Sequence, residues 1–169
     1  GAVPRQDLAR DPGRRRDLVS EGSQVRHHPS MPDQTHLPHS IPTRFLAFSA
    51  SLRADSLNTR LARLAARVIE EHGGVVELAS MQQFDCPSYS QDAEERAGMP
   101  PGAAELRQRV EASDGFIIAS PEYNGSMPGL LKNVIDWVSR YKPQPFNERH
   151  GLLMSASPSM AGGNRGLWS

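Results

Sequence analysis

The sequence predicts an α/β domain built on a parallel sheet covered by helices on both faces. Three observations carry this. Short apolar runs of strand length alternate with longer stretches of helical periodicity. Each run opens into a polar loop rather than a tight turn. The order strand, helix, strand, helix, strand, helix, strand then spans Arg44 to Met154. A helix between consecutive strands is the link that parallel pairing requires.

Phe45-Leu46-Ala47-Phe48 is too short for a helix and fits a buried strand. Ser49 to Ser56 follows as a polar loop. Leu57, Leu61, Leu64, Ala65, Val68 and Ile69 then share one helical face, which is expected to be the buried one, with Arg60, Arg63, Arg67 and Glu70 elsewhere. Gly73-Gly74 ends that helix, and Val75 to Leu78 forms a second strand. Phe84 to Pro101, broken by Pro87, Pro100 and Pro101, is expected to be loop throughout. A short helix from Ala103 to Ser113 buries Leu106 and Val110. Gly115 opens the strand Phe116 to Ala119. After a loop from Ser120 to Met127, Pro128 starts a helix, where its missing N–H costs nothing, and Leu130, Leu131, Val134, Ile135 and Val138 form its stripe. Gly151 to Met154 is a fourth strand, followed by a Gly/Ser-rich segment to Gly166.

Composition narrows the function classes. The 169 residues carry 19 Lys+Arg against 19 Asp+Glu, so no charge excess points to nucleic acid or to an anionic membrane. No apolar run reaches the ~18 residues of a membrane-spanning helix. One cysteine, Cys86, excludes an internal disulfide and fits a reducing, cytoplasmic setting. It has no paired base in view and is not assigned as a nucleophile.

Residues 1–43 read differently. They hold six of the 14 prolines and four of the six histidines, and no apolar period survives across them. Such a segment buries too little to offset the entropy of ordering it, so it is expected to be a disordered arm. His27, His28, His36 and His39 belong to that solvated tail, and no metal site is predicted. Met31 is a candidate native start. The folded domain is taken as residues 44–169. Because a five-stranded doubly wound sheet needs a further strand and a closing helix, the C-terminal strand and helix are expected to be missing.

In a sheet of this kind ligands bind beyond the carboxyl ends of the strands. The first such loop, Ser49-Ala50-Ser51-Leu52-Arg53-Ala54-Asp55-Ser56-Leu57-Asn58, combines hydroxyls, a guanidinium and a helix N-terminus, the chemistry a phosphate needs. It lacks both the G-x-G-x-x-G spacing and the P-loop lysine, and Ser56 or Asn58 could simply cap the helix. The second, Pro121-Glu122-Tyr123-Asn124-Gly125-Ser126-Met127-Pro128-Gly129, is a stiff loop that offers backbone groups and an aromatic face to a flat heterocycle, or else a wide turn. Glu122 there could act as a base or simply bond backbone amides. The third, Ser155 to Arg165, is either another wall of the same pocket or a flexible surface loop.

Together these motifs resemble the NADPH-dependent FMN reductase family of flavodoxin-like proteins. Ser51-Leu52-Arg53-x-x-Ser56-x-Asn58 is similar to its phosphate loop. Pro121 to Ser126, followed by Pro128-Gly129 and Leu131-Lys132-Asn133-x-Ile135-Asp136-Trp137, is similar to its flavin-ring loop and helix. Ser155-x-Ser157-Pro158…Gly162-Gly163-x-Arg165 is similar to its third loop. Ala50 departs from a glycine common in the family. The resemblance implies that Ser51, Arg53, Ser56 and Asn58, with the Leu57 backbone, hold the FMN phosphate. It implies that Pro121, Glu122, Tyr123, Asn124 and Gly125 line the isoalloxazine, with Ser157 closing the far side. It further implies NADPH as reductant and a small-molecule acceptor (quinone, azo compound, metal oxyanion or free flavin). A homodimer or homotetramer is expected, with the helix bearing Trp137 and Tyr141 either at an interface or in the core. A flavin or electron carrier without turnover, an inactive fragment, and a nucleotide- or phosphosugar-binding module without redox chemistry are the competing readings.

Overall fold

The computed structural model describes residues 41–169. Residues 1–40 of the expected arm, with its four histidines and Met31, lie outside the described residues. Residues 41–169 belong to one compact unit. Its elements are β1 (Arg44–Ser49), α1 (Leu57–Glu71), β2 (Val75–Ser80), a 3-10 turn (Met81–Phe84), α2 (Gln91–Ala97), α3 (Pro101–Glu111), β3 (Gly115–Ala119), α4 (Gly129–Val138), β4 (His150–Met154) and α5 (Asn164–Trp168). The four strands form one parallel sheet in the order β2-β1-β3-β4, the order of a flavodoxin-like winding.

Register decides where a ligand can sit. Ser49 pairs with Ser80 and with Ala119, and Ala119 pairs with Met154. All four strands therefore stop at one level, and their following loops emerge side by side. From β1 the chain winds one way to β2 and the other way to β3. The loops after β1 and β3 consequently diverge and leave a crevice between them.

Side-chain alternation along the strands sorts the core into two layers. Leu46, Phe48 and Ile118 join Leu106, Val110, Leu131, Val134 and Trp137 from α3 and α4. Trp137 is 1 % exposed, which assigns it to the core rather than to a subunit interface. On the opposite layer α1 packs against β1, β2 and β3.

Two local expectations need correction. The buried positions of α1 are Asn58, Ala62 and Ala66, while Leu57, Leu64 and Val68 are exposed among the described residues. Alanines let the helix axis approach the sheet closely, and that proximity outweighs the larger transfer energy of the leucine stripe. Residues 84–101 also contain a helix, α2, capped by Ser90 Oγ on the Ala93 amide and ended by Gly98 at φ +72°. Its sequence, polar but for Ala93 and Ala97, carries no apolar period to betray it. At the start of α3, a Cβ on Gly102 would stand 2.2 Å from the Asp85 carbonyl oxygen, so that helix meets the preceding loop backbone to backbone.

β4 forms one edge of the sheet among the described residues, and Leu152 and Leu153, on opposite faces of it, are 49 % and 52 % exposed. The short α5 begins inside the Gly/Ser-rich segment and runs past Gly166 to Trp168.

Candidate functional site

The loop after β1 is shaped by its own serines. Ser49 Oγ accepts from the Ser51 amide, and Ser51 Oγ accepts from the Arg53 amide, each at 3.3 Å. Ser56 then caps α1, its Oγ accepting from the amides of Asn58 (3.2 Å) and Thr59 (3.4 Å). The Leu57 amide, first in the helix, is left without an intrachain acceptor among the described residues. This is a helix N-terminus with an available donor, the arrangement that favours a phosphate oxygen.

Beside it opens a cleft of about 250 Å³, walled by three loops. Ser51, Arg53, Asp55, Ser56, Leu57 and Asn58 come from the first, Pro121, Glu122 and Tyr123 from the second, and Ala156, Ser157 and Pro158 from the third. Of the residues assigned from sequence, Asn124 and Gly125 alone are not part of its wall. They are the two central residues of a tight turn, at φ +53° and +78°, closed by reciprocal backbone bonds between Tyr123 and Ser126 (2.9 and 3.1 Å). Positive φ at both positions is the reason for the Asn-Gly pair.

Several motif side chains tie loops to one another. Asn58 is 3 % exposed. Its Nδ2 donates to the Ala156 carbonyl (3.1 Å), and its Oδ1 accepts from the Ala156 amide (2.9 Å). The amide thus staples the start of α1 to the loop after β4. Glu122 is likewise engaged. Its Oε1 accepts from Arg165 Nε (2.9 Å) and Nη2 (2.6 Å), and its Oε2 from the backbone amides of Arg165 (3.1 Å) and Gly166 (3.3 Å). The Arg165 side chain, with help from those two amides, holds this carboxyl below its usual range despite its burial. A carboxylate so committed seats α5 and is not placed to take a proton as a base.

In α4, Asn133 Nδ2 donates to the carbonyls of Cys86 (3.1 Å) and Pro87 (3.0 Å), while its Oδ1 accepts from the Tyr89 amide (2.9 Å). Trp137 Nε1 also donates to Pro87 O (2.8 Å). These two motif residues fasten the loop carrying Cys86. Burial, with Asp85 adding to it against a backbone bond from Ala103, pushes the Cys86 thiol up to about 11. It is an unreactive thiol at neutral pH. Among the described residues no group of three or more His, Cys, Asp or Glu could hold a metal ion, and no helix is long and apolar enough to cross a membrane.

Sequence reasoning missed Asp55 as a charge in the cleft wall, and it missed the Arg165–Glu122 clamp. All three residues stood in the quoted motifs. The sign of Asp55 was readable there, whereas the partner of Glu122 was not.

A parallel α/β sheet with a donor-lined cleft at its winding switch defines a mononucleotide-binding class of protein. The chain belongs to the NADPH-dependent FMN reductase family, whose model matches residues 43–167. It is 40% identical over 125 residues to a probable NADPH:quinone oxidoreductase 2 of Oryza sativa subsp. japonica, covering 74% of this chain and 61% of that protein. It is 36% identical over 115 residues to a quinone reductase of Escherichia coli (strain K12), covering 68% and 60%. Among solved structures it resembles FerB, a flavoenzyme NAD(P)H:(acceptor) oxidoreductase from Paracoccus denitrificans. That match has a TM-score of 0.62 at 30% identity and covers 76% of this chain and 68% of the other. The chain thus spans about three fifths of the length of the curated relatives it matches.

Proposed function

We propose that the cleft holds FMN and that the protein is an NAD(P)H-dependent oxidoreductase acting on quinone-class acceptors. The carrying observation is the convergence of the loops after β1, β3 and β4 on one cleft with phosphate-type donors at its α1 end. The donor set fits the group: the Arg53 guanidinium, the Ser51 hydroxyl and the Leu57 amide suit a dianionic phosphate. Pro121 to Tyr123 offer backbone groups and a flat wall to the ring system, the Asn124-Gly125 turn beside them stiffens that loop, and Ser157 lines the cleft from the third loop. When bound, FMN supplies the hydride-accepting and hydride-donating chemistry. The chain's part is to grip the phosphate, orient the ring and exclude water. No side chain of the cleft is required as an acid or base, and Glu122 is occupied by Arg165.

Support for acceptor and reductant comes from family membership and from relatives named as quinone reductases. A homodimer or homotetramer rests on the resemblance, and a cytoplasmic setting on the lone cysteine, Cys86. Sedimentation velocity of the purified protein decides the first.

Titration with FMN, followed by flavin fluorescence, tests the reading. Arg53→Ala removes a charge-assisted contact and should weaken binding by roughly 1.5–3 kcal/mol, tenfold or more. NADPH oxidation by the loaded protein should depend on added benzoquinone. Equal FMN affinity in the variant would remove Arg53 from the site, and no binding in either protein would overturn the function.

A further inference from the structure

Next to the flavin cleft lies a second cavity, of about 370 Å³, between α1 and the carboxyl ends of β1 and β2. Its size falls within the ~300–1,000 Å³ range of small-molecule sites. Its polar wall is made of Ser49, Ser51, Thr59, Ser80, Gln83 and Arg63, with no carboxylate. Four of these groups already accept one backbone hydrogen bond each, which holds them in place. Ser49 Oγ takes the Ser51 amide, Ser51 Oγ the Arg53 amide and Ser80 Oγ the Gln82 amide, and Gln83 Oε1 takes the Ser80 amide. Free to donate to a ligand are the hydroxyl hydrogens of Ser49, Thr59 and Ser80, the Gln83 amino group and the Arg63 guanidinium, which has no ion-pair partner among the described residues. A wall with several free donors, one cation and no carboxylate favours a ligand with several anionic oxygens. The floor is apolar, with Phe48, Ala62 and Met81, which suits a flat base. Ser51 lines both cavities, so a group seated here adjoins the proposed flavin phosphate.

We infer that this second cavity is a subsite for an adenosine phosphate, gripped by Arg63 and the surrounding hydroxyls. The inference rests on the FMN reading. Two sources carry this chemistry: the adenylate half of FAD, continuing from the flavin's own phosphate, and the adenosine end of NADPH.

The test is calorimetric titration of FMN-loaded protein with adenosine 2′,5′-bisphosphate and, separately, with adenosine. The bisphosphate should bind saturably and adenosine at least about tenfold more weakly. Arg63→Gln should weaken the bisphosphate roughly tenfold while leaving FMN affinity and melting temperature unchanged. Thr59→Val, which removes a donor without removing charge, should give a smaller loss in the same direction. Equal affinity for the two ligands, or an Arg63→Gln protein that binds the bisphosphate as wild type does, overturns the assignment. A parallel comparison of FAD with FMN on the flavin-free protein separates the sources. Tighter FAD binding that Arg63→Gln abolishes assigns the subsite to the flavin's own adenylate. Equal FAD and FMN binding, with a raised KM for NADPH at unchanged kcat in the variant, assigns it to the reductant. Should FMN fail to bind at all, the parent reading falls, and the bisphosphate titration on unloaded protein still decides this one.

Discussion

Asn58→Ala separates two roles that the sequence motif leaves merged. A phosphate ligand matters only when FMN is bound, whereas a staple between α1 and the loop after β4 matters in the empty protein as well. The substitution removes two hydrogen bonds, at 3.1 and 2.9 Å, from a side chain only 3 % exposed. At about 1 kcal/mol each these account for ~2 kcal/mol, and the half-buried Ala156 backbone groups left behind add part of their desolvation cost. A loss of roughly 2–3 kcal/mol follows, equivalent to a fall of about 5–10 °C in melting temperature for a domain of this size. Asn58→Asp keeps an acceptor for the Ala156 amide but turns a carboxylate oxygen toward the Ala156 carbonyl. That repulsion and the burial of charge outweigh the ~0.3–1 kcal/mol a carboxylate gains near a helix N-terminus. The aspartate variant should therefore be no more stable than the alanine one. Urea unfolding of the flavin-free protein, read by the fluorescence of buried Trp137, measures both. An unchanged midpoint in either variant, combined with weakened FMN binding, would show Asn58 to be a phosphate ligand and the staple to be incidental.

Three further outcomes follow from the same geometry. Asp55 places a carboxylate in the wall of a cleft read as a phosphate site, so Asp55→Asn should tighten FMN several-fold, by about 1 kcal/mol or less, and the gain should shrink as salt rises. No gain at low salt would count against that placement. The Cys86 thiol, pushed up to about 11 chiefly by burial, should react with iodoacetamide far more slowly than a free thiol at pH 8. The folded state favours the protonated form, so this contribution to stability is whole below pH 9 and is lost as pH rises toward 11; a reaction rate at pH 8 matching a small-molecule thiol would refute it. Glu122 is held low chiefly by Arg165, so its contribution is present above the ordinary carboxylate range and lost as pH falls through the lowered value. Arg165→Ala should bring the Glu122 titration back up, seen by NMR, and speed amide exchange at Arg165 and Gly166; unaltered exchange would mean that the clamp does not hold α5.

Most of the sheet was legible because its signals are local. A four- or five-residue apolar run bounded by polar loops leaves little choice but strand, and Pro128 and Gly73-Gly74 mark helix ends through backbone chemistry alone. The buried face of α1 was not legible from hydrophobicity. Leu57, Leu64 and Val68 outrank Ala62 and Ala66 on any transfer scale, yet how near a helix lies to a sheet is set by the smallest side chains between them. α2 escaped notice because nothing in Gln91–Ala97 is apolar enough to show a period. At the site, spacing identified which loops meet but not what each side chain does there. Asn58 and Ala156 are 98 residues apart, and no local pattern encodes that pairing.

The polar motif residues divide by task in a way that sharpens the reading of the cleft. Asn58, Asn133 and Trp137 spend their hydrogen-bonding capacity on backbone groups of other segments, and Glu122 spends its own on the Arg165 side chain and two backbone amides. Ser56 spends its acceptor on the first turn of α1. Each of these bonds fixes a loop that would otherwise cost conformational entropy to order when a ligand arrives. On the proposed reading, recognition falls to the groups left over: the guanidinium of Arg53, the hydroxyl hydrogen of Ser51, the Leu57 amide and the exposed ring of Tyr123. A pre-tied cleft of this sort should change little on binding. Substitutions among the tying residues should lower stability and affinity together, whereas substitutions among the leftover donors should lower affinity alone.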